Sequence, residues 1–190
     1  MAIIDNNTIK KNKDESKELN WINKKTLYIS STTLLFNICT LKIEIPESLN
    51  AKTVLQLLKN KNANINHQDE YERSLLHFTI AFGLNYICEL LINLGANINI
   101  HTNDLQTPLH YAVNSNNIKI LNLLLKNKAR INAQNKNGQT ALHLASITKN
   151  KTAIMLLIKH NCNLHIKDYQ NKAATDYSDI NTRYLFNESN

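Results

Sequence analysis

The chain has 190 residues, 43% of them hydrophobic but only 6% aromatic, which suits one domain or one short repeat array with a core of Leu, Ile and Ala. Its formal net charge is +7, no run approaches the roughly 18 apolar residues of a spanning helix, and the start MAIIDNNTIKKNKDESKELN lacks the apolar stretch of a secretory signal. Three cysteines without CxxC spacing (Cys39, Cys88 and Cys162) argue against a disulfide framework or a zinc site and fit a reducing, cytoplasmic setting.

In chain order, residues 1–31 are polar and charge-mixed and are expected to be mobile. Residues 32–67 read as a degenerate first repeat and N-terminal cap. TVLQLLKNKNANIN keeps the second half of a repeat, but Pro46 stands where a first helix belongs, and the stretch from Thr33 to Ile38 is the substitute. Three full repeats come next, over 68–100, 101–133 and 134–166. Their period is explicit: 110 − 77 = 33 and 143 − 110 = 33 relate His77, His110 and His143. The same offset links Ser74, Thr107 and Thr140, and Leu58, Leu91, Leu124 and Leu157. It also links Ala63, Ala96, Ala129 and Cys162, which makes Cys162 a small buried residue.

Within each period, Ser74, Thr107 or Thr140 supplies an N-cap before an apolar run, and Pro108 occupies the first helical position, where a missing N–H costs nothing. An Asn-marked break and a second apolar run, such as IKILNLLLKNK, come next, and a polar stretch leads to the following cap. The unit is helix, turn, helix, extended loop. Residues 167–190 form a partial repeat with Asp176 in the histidine column (143 + 33 = 176), and a closing cap helix is expected there.

These residues resemble the ankyrin repeat. Thr107-Pro108-Leu109-His110 is its TPLH motif, Gly138-Gln139-Thr140-Ala141-Leu142-His143 is a close variant, and Gly95-Ala96-Asn97-Ile98-Asn99 is similar to its closing segment. The resemblance implies an all-α solenoid with hairpin-like loops and a 33-residue period. The chain departs from the pattern where Glu72 and Leu105 replace the glycine opening the TPLH turn, and where Asn116 and Lys149 replace the inter-helix glycine that survives as Gly83. Strained turns are expected there, because side chains disfavour the left-handed backbone.

Several chemistries find no support. Histidines one repeat apart, roughly 10 Å by helix diameter, are too far apart to share a zinc ion that needs ligands at about 2 Å. The resemblance implies instead that they brace neighbouring loops. No nucleophile motif and no phosphate-binding glycine loop is present, so the chain is read as a non-enzyme without cofactor or metal. Between Leu105 and Lys167 there is no Asp or Glu, only Lys119, Lys126, Lys128, Arg130, Lys136, Lys149, Lys151, Lys159 and Lys167. Such a face is solvated structure, a dock for an acidic protein, or an electrostatic binder of nucleic acid or anionic membrane. The shortage of aromatics for base stacking weighs against nucleic acid. Asn, Lys and Ile all have A/T-rich codons, so Asn-richness and part of the charge are discounted as functional evidence.

The family resemblance places partner contacts at the loop tips and on the inward side of the first helices. Carried onto this chain, the tips are Glu70, Tyr71 and Arg73; Asn103, Asp104 and Gln106; and Lys136, Asn137 and Gln139. The first-helix positions are Ala81 and Phe82, Asn114 and Ser115, and Ile147 and Thr148. Tyr71, Arg73 and Phe82 are the expected energetic centre, since buried aromatics and Arg dominate interfaces. The chain is expected to be a monomer that binds another protein. Its A/T-rich composition suits an intracellular bacterium, a virus or a protist, whose ankyrin proteins are often delivered into host cells.

Overall fold

A computed structural model describes residues 64–186; the expectations for 1–31 and for most of 32–67 lie outside them. Nearly all of the described residues belong to one compact unit that begins at Asn66. Among them are six α-helices: α1 Leu75–Ala81, α2 Asn85–Asn93, α3 Pro108–Asn114, α4 Ile118–Lys126, α5 Ala141–Ile147 and α6 Lys151–Lys159. The starts of α1, α3 and α5 differ by 108 − 75 = 33 and 141 − 108 = 33, and those of α2, α4 and α6 do the same. Helices of 7 and 9 residues do not persist alone in water. They hold here because α1, α3 and α5 pack side by side in one row, and α2, α4 and α6 in a second row behind it.

The core is the same few columns repeated. Leu76, Leu109 and Leu142 come from the first row, and Leu91, Leu124 and Leu157 from the second, all essentially without solvent contact. Cys88, Leu121 and Ile154 fill another shared position, and Cys162 is buried beside Ala96 and Ala129 of its column. Both cysteines are free thiols, and burial pushes them up, Cys88 to about 12 and Cys162 to about 11. They pack as small hydrophobes rather than as nucleophiles. One column breaks the apolar rule: after Ile80 and Val113 comes Ser146, whose hydroxyl is buried with no hydrogen-bond partner among the described residues.

Ser74, Thr107 and Thr140 hold the extended backbone of N-caps, with ψ of 167°, 166° and 170°. The second helices α4 and α6 are capped by Asn: Asn117 accepts the N–H of Ile120 and Asn150 that of Ala153. Every described residue with positive φ falls in one of three columns. They are 72, 105, 138 and 171 before the caps; 83, 116 and 149 between the helices; and 95, 128 and 161 after the second helix. Each column keeps a single glycine: Gly83 and Gly95 in the first full repeat and Gly138 in the third. The strain expected at Glu72, Leu105, Asn116 and Lys149 is present, with φ between 52° and 56°, and Lys128, Asn161 and Asn171 add to it.

One expectation needs correction. The C-terminal segment closes the stack with two 3₁₀ turns, Ala174–Tyr177 against α5 and Arg183–Phe186 against α6, and not with an α-helix. Asp176 still accepts from the Ala173 N–H, as the histidines do from their caps, but the stretch from Ser178 to Thr182 offers no apolar face for a longer helix. The asparagines, discounted as functional evidence, have a structural role. The Asn66, Asn99 and Asn132 side chains accept the N–H groups of Asn97, Arg130 and Asn163, each tying one repeat to the next.

Candidate functional site, a loop-tip and first-helix surface

Each loop before a first helix is closed by backbone bonds across its tip. The N–H groups of Asp69, Thr102, Asn135 and Asp168 donate to the carbonyls of Arg73, Gln106, Gln139 and Lys172. The side chains of the same four residues organise the turn from within. Asp69 Oδ1 takes the N–H groups of Tyr71 and Arg73, Thr102 Oγ1 that of Gln106, Asn135 Oδ1 those of Asn137 and Gln139, and Asp168 Oδ1 those of Gln170 and Lys172. Adjacent tips are then stitched together: Asn103 N–H donates to Tyr71 O at 3.1 Å, Lys136 N–H to Asp104 O at 2.9 Å, and Tyr169 N–H to Asn137 O at 3.1 Å.

The three histidines fasten this ribbon to the helices. In each, Nδ1 accepts the N–H of the cap residue, Ser74, Thr107 or Thr140, so it carries no proton. Nε2 is therefore the protonated nitrogen and donates to a carbonyl of the next loop, Gln106, Gln139 or Lys172, at 3.1 Å. Burial lowers His77 and His110 to about 4 against the carbonyl bonds that raise them, so both are neutral near pH 7. The bracing role expected from the resemblance is what the geometry shows.

The structure brings Tyr71, Arg73 and Phe82 together through a residue not singled out in the sequence, Phe78. The Arg73 guanidinium lies 4.8 Å from the Tyr71 ring and 4.7 Å from the Phe78 ring, and Phe78 stacks on Phe82 with centroids 6.2 Å apart. Phe78 is buried, whereas Tyr71 and Phe82 remain 56% and 45% exposed, so two anchors of the ladder face solvent. Asp69 fixes the arginine at 2.7 Å. Partial burial raises the Asp69 carboxyl, but the hydrogen bonds and charge of Arg73 and the Tyr71 N–H outweigh it and hold the group below its usual range.

The other candidates are spread along the same side. Glu70, Asn103, Asp104, Lys136 and Asn137 are exposed on the tips, while Gln106 and Gln139 are half-buried with their carbonyls engaged by histidines. Lys136 pairs with Asp104 at 3.7 Å. Asn114 is exposed and Ser115 and Thr148 stand at the C-terminal caps of α3 and α5, where both hydroxyls donate back into their own helix at 2.8 Å. Ala81 and Ile147 end their helices in solvent.

Three further residues of this side were not among the sequence candidates for partner contact. Tyr111 stands in the column of Phe78 (78 + 33 = 111) and meets the His77 ring edge-on at 4.8 Å. Tyr169 is a fourth loop tip, 77% exposed, in the column of Lys136 (136 + 33 = 169). Leu105, an exposed apolar side chain on a left-handed backbone, lies between Asp104 and Gln106. Extending the columns past the TPLH motif would have found all three.

Comparison with family models agrees with this architecture. Ankyrin repeats in three copies match residues 47–135, and a further ankyrin repeat matches 137–169. The chain therefore belongs to the ankyrin-repeat family, whose members are generally protein–protein interaction modules and typically not enzymes. No curated protein matches it. Among the described residues no helix is long and apolar enough to cross a membrane.

Proposed function

We propose that this chain binds a protein partner along its loop tips and first-helix row, with Tyr71, Arg73 and Phe82 as the anchors. The observation that carries the reading is the ladder of Tyr71, Arg73, Phe78 and Phe82, in which a buried ring and an ion pair hold two solvent-facing aromatics in place. Side chains ordered before binding lose less entropy on binding, so exposed aromatics so held make efficient contacts. Hydrogen-bonded tips extend that preparation across Asn103, Asp104, Gln106, Lys136, Asn137 and Gln139. We place the protein inside a cell, as a monomer, with free buried thiols in support. A host cell fits its composition.

The second reading is an electrostatic binder of nucleic acid or anionic membrane through the 105–167 cations. Among the described residues, Lys119, Lys136 and Lys149 are engaged by Glu89, Asp104 and Asp179, which weakens that field. Affinity capture from lysate at physiological and high salt separates the two. A protein retained by wild type at high salt and lost by the Tyr71→Ala/Phe82→Ala variant is the expected result. Recovery of only salt-labile anionic material, equally by both, would overturn the anchor assignment, since counterion-driven binding collapses with salt.

A further inference from the structure

The second row of helices carries a feature that the inner surface does not use. Between α4 and α6 runs a groove of about 510 Å³, lined by Ile118, Lys119, Asn122, Met155, Leu156 and Lys159. Met155 is 57% exposed. Its column holds Glu89 and Asn122 in the preceding repeats (89 + 33 = 122, 122 + 33 = 155), so this is a position at which the fold needs only a solvated side chain. Methionine there contributes nothing to the core. Its unbranched, polarisable side chain instead suits an adaptable contact surface.

The charge on the two helices that form the groove has one sign. Lys119 stands near the start of α4 and Lys126 ends it, while Lys151 opens α6 and Lys159 ends it. Neither helix carries a carboxylate; Glu89, on α2, pairs with Lys119 at 2.7 Å and leaves Lys126, Lys151 and Lys159 without an ion pair among the described residues. A helix of nine residues spans roughly 13 Å, so cations bracket the apolar floor at both ends. Nucleic acid would use the charge but not Met155 and Leu156, and a second copy would bring lysine against lysine.

We propose that this groove docks an acidic amphipathic segment of a partner protein, its apolar side chains seated on Met155, Leu156 and Ile118 and its carboxylates reaching the flanking lysines. The site is distinct from the Tyr71–Phe82 surface, so two partner segments are bound on opposite rows of one stack.

The test uses the full chain and a fluorescently labelled, Glu-rich peptide with a leucine stripe at helical spacing, beside a scrambled peptide of identical composition. Anisotropy is read at physiological salt, and backbone amide shifts locate the contact. The expected result is preference for the striped peptide, shifts confined to α4 and α6, and about tenfold weaker binding for Met155→Ala and for Lys159→Glu. Both substitutions fall on exposed helix positions and keep good helix propensity. Equal binding of the scrambled peptide, no binding, or shifts at Tyr71 and Phe82 would overturn the proposal. So would a Met155-dependent dimer in sedimentation, which makes a second copy the occupant. None of these outcomes touches the inner-surface reading, which rests on the Tyr71→Ala/Phe82→Ala comparison.

Discussion

Lys128 and Leu105 hold left-handed backbone at φ of 62° and 56°, in columns where Gly95 and Gly138 do the same without a side chain. An L-residue in that region costs roughly 1–2 kcal/mol, and the greater unfolded-state freedom of glycine returns about 0.4–1 kcal/mol of it. Lys128→Gly and Leu105→Gly are each expected to raise stability by roughly 0.5–1 kcal/mol, read as a higher urea midpoint at unchanged slope. Gly138 is the opposite case. A Cβ there would lie 2.8 Å from the Tyr169 backbone nitrogen and 3.1 Å from the Asp168 Cα, so Gly138→Ala is expected to lower the midpoint and to loosen the last loop. The turn positions 72, 105, 116 and 149 were legible in the sequence because a glycine marks each column once. Those at 128, 161 and 171 carry the same mark, Gly95 and Gly138 in their columns, but those columns were not followed through Lys128, Asn161 and Asn171, which look like ordinary loop residues.

At the scale of the element, cap, histidine and following loop work as one latch. Its sequence pattern was fully readable: the N-caps, Pro108 and the brace were expected and are found. What single residues did not betray is the Asp69, Thr102, Asn135 and Asp168 turn column, because different side chain types serve it and any short oxygen acceptor suffices. The latch has a pH signature. Unfolding returns His77 and His110 from about 4 to the ordinary 6.5, so the unfolded chain binds more protons between those values. The neutral-imidazole contribution is thus complete above pH 6.5 and is lost as pH falls toward 4, by up to about 1.4 kcal/mol per unit for each histidine. Urea midpoints followed from pH 7 down to pH 5 should fall, and His110→Gln should reduce the slope; a midpoint indifferent to pH in that window would show that the imidazoles are not buried as described.

Across the whole molecule, stability is a chain of nearest-neighbour contacts. Among the described residues, the outer side of the last repeat is covered by the segment bearing the two 3₁₀ turns, in which Ala174, Leu185 and Phe186 are buried. That segment also supplies Lys172 O to His143 and Tyr169 N–H to the loop ribbon. A chain ending at Ile166 should lose roughly 3–5 kcal/mol of apolar burial, with hydrogen-exchange protection falling first in α5 and α6. A uniform fall through α1 to α6 would instead mean one indivisible cooperative unit. The repeat period and helix pairing were legible because many columns vote for them. The aromatic ladder was partly legible: Tyr71, Arg73 and Phe82 were picked out by type and position, and Phe78, four residues before Phe82 on one helix, was within reach of the same reasoning; that it also receives Arg73 follows from the fold of the loop tip.

The stitched loop tips carry a consequence for inheritance. Tyr71, Asp104 and Asn137 each offer a carbonyl that the following tip fills, and these carbonyls recur at one interval (71 + 33 = 104, 104 + 33 = 137), while the histidines reach forward by an interval that is likewise constant. These loop-tip and histidine joints are therefore of one gauge. A gene duplication that copies a whole period can be spliced in with all its couplings matched, lengthening the molecule by roughly one helix diameter, about 10 Å. An insertion of any other length must be absorbed inside a loop or break a joint. Selection on such a molecule can count in whole repeats, growing or shortening its reach while the grammar of each junction stays the same.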